Sequence, residues 1–444
     1  YAKTSSGDLD SYRELGMSHP LTPKVLGGGP AFMLALRKEV MHREVKVFEN
    51  VMVHELLIGQ NNVPCGCLCI DIQTGEHVVF NAKAIVLAAG SATRMFPYST
   101  ANFLTTGDGY WLGYEAGADF INMEFPEFSI MPAPGGEPLH TGGIKPLTGR
   151  GAKFFNRLGE RFMERYDPQR KELVKRSHLV RALYQEIKEG RGPVYMDLTH
   201  LTEDDFQMME NVQKLGIINK LKEAGVNYRK DRFEWLSPAV HTFLGGIRTN
   251  EHGETRVPGL FAAGENAGGV YGADRVGTFL TACAVFGFRA GRSAARYALR
   301  NSLPSVQPVD LQKTLEEFRR FSEPRSGKAP ERFEAELREI AGDHLTLERN
   351  EIGLGKAIQE LTHIKDHEWA QMKIETTKDV VKGLEIRNMA LTGVMVAQAA
   401  LARRESRGQH QRKDFPARDD GAWLRWIILK KEGGDISVTD EMIT

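Results

Sequence analysis

The chain has 444 residues with 58 basic and 58 acidic side chains, so its formal net charge is zero. This balance excludes the strong basic field by which many proteins bind nucleic acids or membrane surfaces. The length exceeds one compact core and predicts two or three domains. No apolar run reaches the roughly 18 residues of a transmembrane helix.

The first part of the chain predicts alternating helices and strands. An amphipathic helical pattern covers 30–43, and strand-like stretches with a hairpin signal at Thr74-Gly75 follow between 45 and 89. The stretch 82–90 is continuously apolar and ends in small residues, which is typical of a buried parallel strand that meets a ligand. A helical pattern at 107–118 follows, and the alternation predicts a doubly wound α/β sheet.

The four cysteines do not form the pattern of a metal or iron–sulfur site. Cys65, Cys67 and Cys69 alternate along one predicted strand, and Cys283 is remote from them. Structural zinc and iron–sulfur sites usually combine Cys-x2-Cys spacings with further ligands. We therefore interpret the three as small buried strand residues, and we predict neither a metal site nor a disulfide framework.

The pattern changes twice after the first α/β part of the chain. A cluster of Pro and Gly leads into helical, strand and charged amphipathic stretches, which predict an inserted α+β domain. The strand, glycine turn and helix pattern then returns, and a linker leads to amphipathic helices and a polar, loop-rich tail. The predicted boundaries are 1–128 and 240–300 for the α/β domain, 129–239 for the insert, 301–404 for the helical domain and 405–444 for the tail.

A glycine-rich stretch at 257–277 is the strongest local signal for a ligand. It contains an apolar strand, a turn at Gly264-Glu265 and an arginine, Arg275, among many Gly and Ala residues. A tight strand-to-helix turn needs glycine for positive φ and close packing. A cofactor loop needs the same glycines, with Glu265 accepting a hydrogen bond from a ribose or ribitol hydroxyl. These residues alone leave both interpretations open.

Eight separated stretches carry a common resemblance over nearly the whole chain. They are AIVLAAG (84–90), TTGDG (105–109), NMEF (122–125), GERFMERYDP (159–168), KELVKRSHLVRALYQEIKEGRG (171–192), SPAVHTFLGGIRTNEHGE (237–254), VPGLFAAGENAGGVYGADR (257–275) and ALARRESRGQHQRKDFPARDDGAWLR (400–425). In order and spacing they resemble the flavoprotein subunits of succinate dehydrogenase and fumarate reductase, the family that also contains L-aspartate oxidase.

The resemblance implies an FAD-binding domain of the doubly wound α/β class, with an inserted α+β capping domain and a C-terminal helical domain. The family's N-terminal Gly-x-Gly-x-x-Gly turn, which takes the FAD pyrophosphate at a helix N-terminus, is missing from this sequence. We therefore expect the N-terminal half of the FAD-binding domain either upstream of Tyr1 or on another polypeptide, and we favour the first.

The resemblance also implies a set of catalytic residues. Arg176 matches the arginine that shuttles the proton, and His241 matches the histidine that hydrogen-bonds a substrate carboxylate. Arg275 matches the arginine that clamps a carboxylate, for which its planar fork of donors is suited. The alternative interpretations are a solvated helix arginine at 176, a core histidine at 241, and an ion pair of Arg275 with Asp274 or Glu265.

The flavin is expected to contact three turns of the chain. Gly107 and Asp108 match the family's flavin-side turn, although Asp108 also suits a helix N-cap. The glycine pair Gly245-Gly246 would let the backbone approach the flavin. Gly264 and Glu265 are then expected to face the FAD sugar.

The dicarboxylate clamp departs from the family pattern. Ser129 stands about where the family has a histidine, and no Thr-Glu pair follows it. We considered His140-Thr141, with His140 as a catalytic candidate, or Thr148 with Arg150, as compensating groups. Because the clamp is incomplete, we expect a carboxylate substrate other than plain succinate or fumarate.

The sequence thus predicts an FAD-dependent oxidoreductase that exchanges hydride between FAD and a C–C single or double bond next to a carboxylate. Electrons are expected to pass through an iron–sulfur partner subunit, since these cysteines cannot hold clusters. We expect a cytoplasmic protein, or one bound peripherally at the inner membrane through partner subunits; a periplasmic location stays open. The alternatives are a stand-alone enzyme of the L-aspartate oxidase type and a non-catalytic flavoprotein scaffold.

Overall fold

The computed structural model describes residues 3–4, 6–12, 19, 22–23, 25–142, 144–213, 216–274, 279–303 and 308–443. The strands are β1 (Ser11–Tyr12), β2 (Thr22–Pro23), β3 (Val51–Ile58), β4 (Pro64–Asp71), β5 (His77–Asn81), β6 (Ile85–Leu87), β7 (Phe120–Ile121), β8 (Pro126–Pro132), β9 (Lys153–Phe155), β10 (Val194–Asp197), β11 (Phe233–Phe243), β12 (Gly246–Arg248), β13 (Leu260–Ala262), β14 (Ala267–Gly268), β15 (Glu348–Arg349), β16 (Gln411–Arg412), β17 (Arg425–Glu432) and β18 (Asp435–Met442). The α-helices are α1 (Gly28–His42), α2 (Asp108–Glu115), α3 (Ile144–Gly149), α4 (Met163–Tyr166), α5 (Arg176–Glu186), α6 (Glu203–Gln213), α7 (Ile217–Glu223), α8 (Phe279–Arg300), α9 (Pro308–Ser322), α10 (Pro330–His344), α11 (Glu351–His363), α12 (Thr377–Ala402) and α13 (Asp420–Trp423).

Two parallel strands, β6 and β13, lie at the centre of the α/β part. Phe261 is opposite Val86, and the Ala263 amide extends the ladder by donating to the Leu87 carbonyl at 3.0 Å. The predicted parallel strand at 82–90 is confirmed in its pairing. Its predicted complete burial is wrong, because successive side chains alternate between faces and Val86, on the face opposite Leu87, is 37% exposed.

The antiparallel sheet β8–β11–β10–β9 forms a second unit of structure. Phe128 lies opposite Val240, and Val194 lies opposite Trp235. All four side chains are buried, and helix α5 packs across β8 and β11. These side chains belong to one continuous hydrophobic core that also includes Leu87 of β6 and Leu260 of β13, while the predicted domain boundaries stay a prediction.

The tail joins a mixed five-stranded sheet in the order β14–β12–β7–β17–β18. The prediction of a loop-rich tail is wrong for 425–442, because β17 and β18 form a hairpin that turns at Gly433-Gly434. Leu429 on β17 is 1% exposed and lies opposite Phe120 on β7. The apolar run at 426–429 gains this burial only by pairing with a strand some 300 residues earlier.

The predicted helical domain is confirmed. Helices α10, α11 and α12 pack against one another, and α9 packs on α12. Helix α12 has 26 residues and is buried on nearly all sides, and Thr376 and Asp379 form a capping box at its start. The predicted linker at 301–310 is shorter than expected, since α9 begins at Pro308.

The strand expected from residue 45 begins only at Val51. Residues 45–48 have no regular structure, and Phe48 is exposed, with its ring packed edge-on against Phe80 at 4.7 Å between centroids. The alternation of apolar and charged residues in this stretch suits a strand, but within the described chain no neighbouring strand pairs with it.

The three alternating cysteines lie on β4, as predicted. Cys65 and Cys69 are fully buried and Cys67 is half-buried. Within the described residues, no three His, Cys, Asp or Glu side chains are arranged to hold a metal ion. None of the helices in the described ranges is both long and apolar enough to cross a membrane.

Candidate functional site

Strands β6 and β13 are parallel, so their carboxyl ends meet at one edge, where small residues follow at 88–91 and at 263–264. Gly264 (φ 65°) turns the chain after β13, and the Glu265 carboxylate accepts a hydrogen bond from the Ser91 hydroxyl at 3.1 Å. Asn266 is fully buried and ties this turn to the other strand end by donating to the Gly90 carbonyl at 2.8 Å. The crevice beyond the carboxyl ends of parallel strands is where α/β sheets bind their ligands.

A second turn, at the start of α2, lies beside this crevice. The N-cap residue of α2 is Gly107 (φ 84°), and no side chain caps this end of the helix. The alternative interpretation of Asp108 as the N-cap is therefore wrong. The Asp108 carboxylate instead accepts hydrogen bonds from the Thr106 hydroxyl and the Asn388 amide, each at 2.9 Å. Burial raises the pKa of Asp108. The bond from Asn388 ties this turn to helix α12 of the helical domain.

The glycine pair after β11 allows protein backbones to pass closely. A Cβ on Gly245 would lie 2.2 Å from the Asn122 carbonyl oxygen, and one on Gly246 would lie 2.6 Å from the Asn266 carbonyl oxygen. These contacts account for both glycines within the protein itself. An additional approach of this backbone to the flavin stays a prediction.

The loop 98–100 brings two histidines to one place. An isolated bridge pairs Ser99 with β11, so the loop runs along the strand that carries His241. The Thr100 hydroxyl lies 2.7 Å from His241 Nδ1, and His140 Nδ1 lies 3.0 Å from the Ser99 carbonyl oxygen. Because a carbonyl oxygen only accepts, Nδ1 of His140 is the donor in its bond.

Arg176 lies in a buried ion pair that the sequence did not predict. It is the first residue of α5, it is 7% exposed, and its Nη1 donates to Glu127 Oε2 at 2.9 Å. Glu127 lies on β8 and is 4% exposed. The strand register sets Glu127 opposite Thr242, the neighbour of His241. Arg176, Glu127 and His241 thus come from three packed elements, α5, β8 and β11.

The other residues considered for the clamp have different surroundings. Ser129 is 3% exposed within β8. The Thr148 hydroxyl donates to the Ile144 carbonyl of its own helix at 3.1 Å, and Arg150 pairs with Asp205 at 3.4 Å. These bonds direct both side chains toward other parts of the same unit, so the geometry gives no support to Thr148 and Arg150 as compensating groups.

Arg275 lies outside the residues that the structure describes, and its role stays a prediction. The described loop just before it is packed tightly, since a Cβ on Gly408 (φ 58°) would lie 2.2 Å from the Ala273 carbonyl oxygen. The neighbouring Gln409 side chain accepts from the Phe128 amide and donates to the Phe128 carbonyl at 2.9 Å. The C-terminal segment therefore holds both this loop and strand β8.

The crevice has the properties that the sugar side of FAD requires. Glu265 offers a half-buried carboxylate at the end of β13, and a Cβ on Gly264 would approach only Cys283 Sγ, at 3.6 Å. The Tyr110 hydroxyl donates to the Glu265 carbonyl at 2.8 Å and fixes the turn. A carboxylate that accepts from a ribose or ribitol hydroxyl fits this position.

Three residues in or beside the site were missed by sequence reasoning. Asn266 directly follows Glu265, so its position in the glycine-rich stretch was a usable signal. Glu127 lies two residues before Ser129 but pairs with an arginine 49 residues away. Asn388 lies 280 residues from Asp108 and gave no local signal.

Parallel strand ends, beside an antiparallel unit that carries a buried arginine and a half-buried histidine, are typical of an α/β protein that binds a ligand at its strand ends. Residues 5–279 match the family described as FAD binding domain, and residues 334–444 match that described as fumarate reductase flavoprotein C-term. The chain belongs to the family of fumarate reductase and succinate dehydrogenase flavoproteins, and its cofactor is FAD.

Two relatives illustrate the family membership. The chain is 34% identical over 392 residues to an uncharacterized FAD-dependent oxidoreductase of Methanocaldococcus jannaschii, covering 87% of this chain and 70% of that one. It is also 34% identical over 418 residues to one of the subunits of fumarate reductase (CoM/CoB) from Methanothermobacter marburgensis, covering 91% of this chain and 74% of the relative.

The fold is that of a known flavoprotein. A quinol fumarate reductase chain from E. coli superimposes with a TM-score of 0.89 at 24% identity, covering 100% of this chain and 80% of the other. This likeness confirms the predicted fold class, an α/β flavoprotein with a capping unit and a helical domain.

Proposed function

We propose that this protein is a catalytic flavoprotein that exchanges hydride between FAD and a C–C single or double bond next to a carboxylate. One observation carries the proposal. Arg176 on α5 and His241 on β11 were matched to the family separately, and these two elements pack against each other. Glu265 and Gly264 would hold the FAD sugar, and Gly107 with Asp108 would support its flavin side. FAD supplies hydride exchange when it is bound.

Arg176 would deliver or accept the proton on the substrate carbon opposite the hydride. A guanidinium in water is a very weak acid, so the role requires a buried position close to the substrate and a neighbour that restores the proton. Glu127 is such a neighbour, since its carboxylate lies 2.9 Å from the Arg176 guanidinium. We therefore assign Arg176 as proton donor and Glu127 as its relay.

His241 would bind one substrate carboxylate, and Arg275 would hold it in a bidentate pair. His140 bonds Ser99, the neighbour of the Thr100 that bonds His241, and is the remaining candidate for a second carboxylate contact. Because Glu127 already neutralises Arg176, the site holds less positive charge than a clamp of free arginines. This supports a substrate other than plain succinate or fumarate.

The electrons would pass to or from an iron–sulfur partner subunit. The name of the Methanothermobacter relative supports a partner of some kind, since that relative is one subunit of a fumarate reductase (CoM/CoB). A peripheral position at a membrane would then depend on partner subunits.

A substrate panel tests the proposed function. FAD-loaded enzyme is assayed with saturated and unsaturated mono- and dicarboxylates, using reduced and oxidised artificial dyes and a thiol pair as electron carriers. We expect turnover with a carboxylate that differs from succinate and fumarate in at least one substituent. Turnover of succinate or fumarate far above every other acid would refute the substrate proposal. Failure of every acid in the panel would refute the reaction itself.

A further inference from the structure

A cavity of about 510 Å³ lies between β3, α2, α9 and α12, away from the corner that holds Arg176 and His241. It is within the usual size range of small-molecule sites, roughly 300–1,000 Å³. Cationic and aromatic side chains dominate its deeper lining, namely His54, Trp111, Phe318, Arg325, Trp369 and Arg387. Nothing in the proposed reaction uses these residues.

Arg387 presents a buried cation on an aromatic wall. Its guanidinium lies 3.6 Å from the ring centroid of Trp111 and 5.3 Å from that of Trp369. Its hydrogen bonds to the Asn388 side chain and the His54 carbonyl are long, at 3.3–3.5 Å, and none of them uses Nη1. Such an arginine retains hydrogen-bonding capacity for an anion.

Arg325 adds a second cation to the same lining. Its Nε donates to the Met372 carbonyl at 2.8 Å and its Nη1 donates to the Phe321 carbonyl. Its Nη2 is buried and has no hydrogen-bond partner among the residues that the structure describes. A buried donor without a partner costs free energy, which an anionic ligand would recover.

His54 supplies an uncharged polar group. It is 2% exposed and stacks on Phe318 at 4.1 Å, and its Nε2 has no partner in the described part of the chain. Burial, together with the nearby Arg387 charge, lowers the pKa of His54 to about 3, so the ring is neutral near neutral pH. The lining also contains two carboxyl groups, those of Glu55 and Glu317, and burial raises the pKa of Glu55.

We propose that this cavity binds a planar aromatic carboxylate, with its ring against the Trp111 and Trp369 side and its carboxylate toward Arg325 and Arg387. Two arginines with unused donors match a carboxylate. The aromatic walls match a flat ring, which gains from both burial and stacking. The His54 ring lines the same cavity and carries the polar group that a substituent on the ligand ring would approach.

Calorimetric titration of the FAD-loaded chain with anthranilate tests the proposal. Anthranilate is a planar aromatic carboxylate with an amino substituent that can bond a histidine. Anthranilamide keeps the ring and removes the charge, and cyclohexanecarboxylate keeps the charge and removes the aromatic ring. We expect saturable binding of one anthranilate per chain, and each analogue to bind weaker by about tenfold or more. Equal affinity for all three compounds would overturn the assigned chemistry.

Variants locate the bound molecule. Arg325→Gln and Trp369→Leu should each weaken anthranilate binding by about tenfold. Arg332→Gln, an exposed arginine on α10, serves as the matched control and should bind as wild type. Arg176→Lys should also bind as wild type, because that residue belongs to the other site. Loss of binding in Arg176→Lys but not in Arg325→Gln, or no saturable binding to the wild type, would overturn the proposal.

Discussion

The buried partner of Arg176 determines what this arginine can do. Glu127 and Arg176 are both nearly inaccessible to solvent and lie 2.9 Å apart, so each compensates the charge of the other. A substrate carboxylate that approaches the guanidinium must share it with Glu127. Under the proposed function, the pair would lower the affinity for the substrate and would supply a neighbour that returns the proton.

Glu127→Gln separates these two effects. The amide keeps a hydrogen-bonding group of the same size but removes the charge, so we expect a lower KM for the carboxylate. We also expect kcat to fall by about tenfold or more, because the relay group is lost. Glu172→Gln is the matched control, since Glu172 is a buried partner of Arg161 in the same unit. A variant with wild-type kcat would contradict the relay.

Glu265 allows a test of the flavin crevice. Glu265→Ala removes the proposed acceptor for an FAD hydroxyl, which should cost about 1–3 kcal/mol and lower the fraction of protein that purifies with FAD. Absorbance of bound flavin, and the Kd on reconstitution, measure this effect. Glu251→Ala, in an exposed turn, should retain full occupancy. Equal occupancy in both variants would refute the role of Glu265.

A motif gives candidate residues. Arg176 and His241 lie in stretches that resemble the family, and their roles stay predictions. Glu127 could not be predicted, because its partnership depends on the β8–β11 register and on α5 packing across both strands. Asp108 was matched to a flavin-side turn, with a helix N-cap as the alternative, and its bond to Asn388 on a distant helix had no local signal.

At the scale of elements, the C-terminal segment 405–416 packs against the elements that carry the proposed site, and none of its residues is among the proposed catalytic residues. Gly408 packs on the loop that precedes Arg275, and Gln409 brackets the strand that carries Glu127. Within the described chain, this segment therefore joins the loop before Arg275 to strand β8.

Gly408→Ala tests this support. The added Cβ would lie 2.2 Å from a backbone oxygen, so the loop must shift, and we expect KM for the carboxylate to rise several-fold. Gly433→Ala is the matched control, because Gly433 has a similar φ of 61° and no atom within 4 Å of the added Cβ. The backbone strain is common to both variants. An equal change in KM in both would contradict the packing argument.

Elements with regular periodicity were predictable, and those that depend on distant pairing were not. The helix at α2 and the strands β4 and β5 follow the local patterns. The tail hairpin was missed because β17 is stabilised by β7, far away in the sequence. The prediction of a strand from residue 45 was wrong, because the local pattern suits a strand but no described strand pairs with residues 45–48.

At the scale of the whole molecule, buried ion pairs join the separate units. Arg403 at the end of α12 donates to the Glu124 carboxylate at 2.8 Å, and Arg349 donates to the Glu124 carbonyl at 2.7 Å. Glu124 is completely buried directly before β8. Removing one partner of such a pair leaves an uncompensated buried charge, so the units are expected to unfold together.

A second buried carboxylate gives the molecule a predictable response to acid. Burial alone would raise the pKa of Glu186, but hydrogen bonds from Arg191, Asn156, Tyr166 and Arg165 outweigh it and lower the pKa to about 2. A folded pKa below the unfolded value means that the stabilisation is present above the unfolded pKa and is lost as pH falls toward 2.

The Glu186→Gln variant measures that contribution. We expect the variant to be less stable than wild type near neutral pH, by at most about 3 kcal/mol. The difference in free energy of unfolding should shrink between about pH 5 and pH 2, where wild-type Glu186 becomes protonated. Denaturant titrations at several pH values give both quantities. A difference that does not change with pH would contradict the depressed pKa.

The overall fold was predictable because eight stretches agree in order and spacing, which constrains topology more than any one motif does. The contacts that join the units could not be predicted, because they depend on side chains such as Glu124 and Arg403, which are 279 residues apart in the sequence. Buried charges give no periodic signal in a sequence. Their partners are found only when the chain is folded.

The central claim is that Arg176 transfers the proton while FAD exchanges the hydride. It is tested most directly by stopped-flow reoxidation of the reduced holoenzyme with the carboxylate substrate, in wild type and in Arg176→Lys. The account predicts that the variant keeps its FAD and its substrate affinity but reoxidises slower by about 10²–10⁴-fold, because lysine cannot reproduce the geometry of the guanidinium. Reoxidation of Arg176→Lys at the wild-type rate would contradict it.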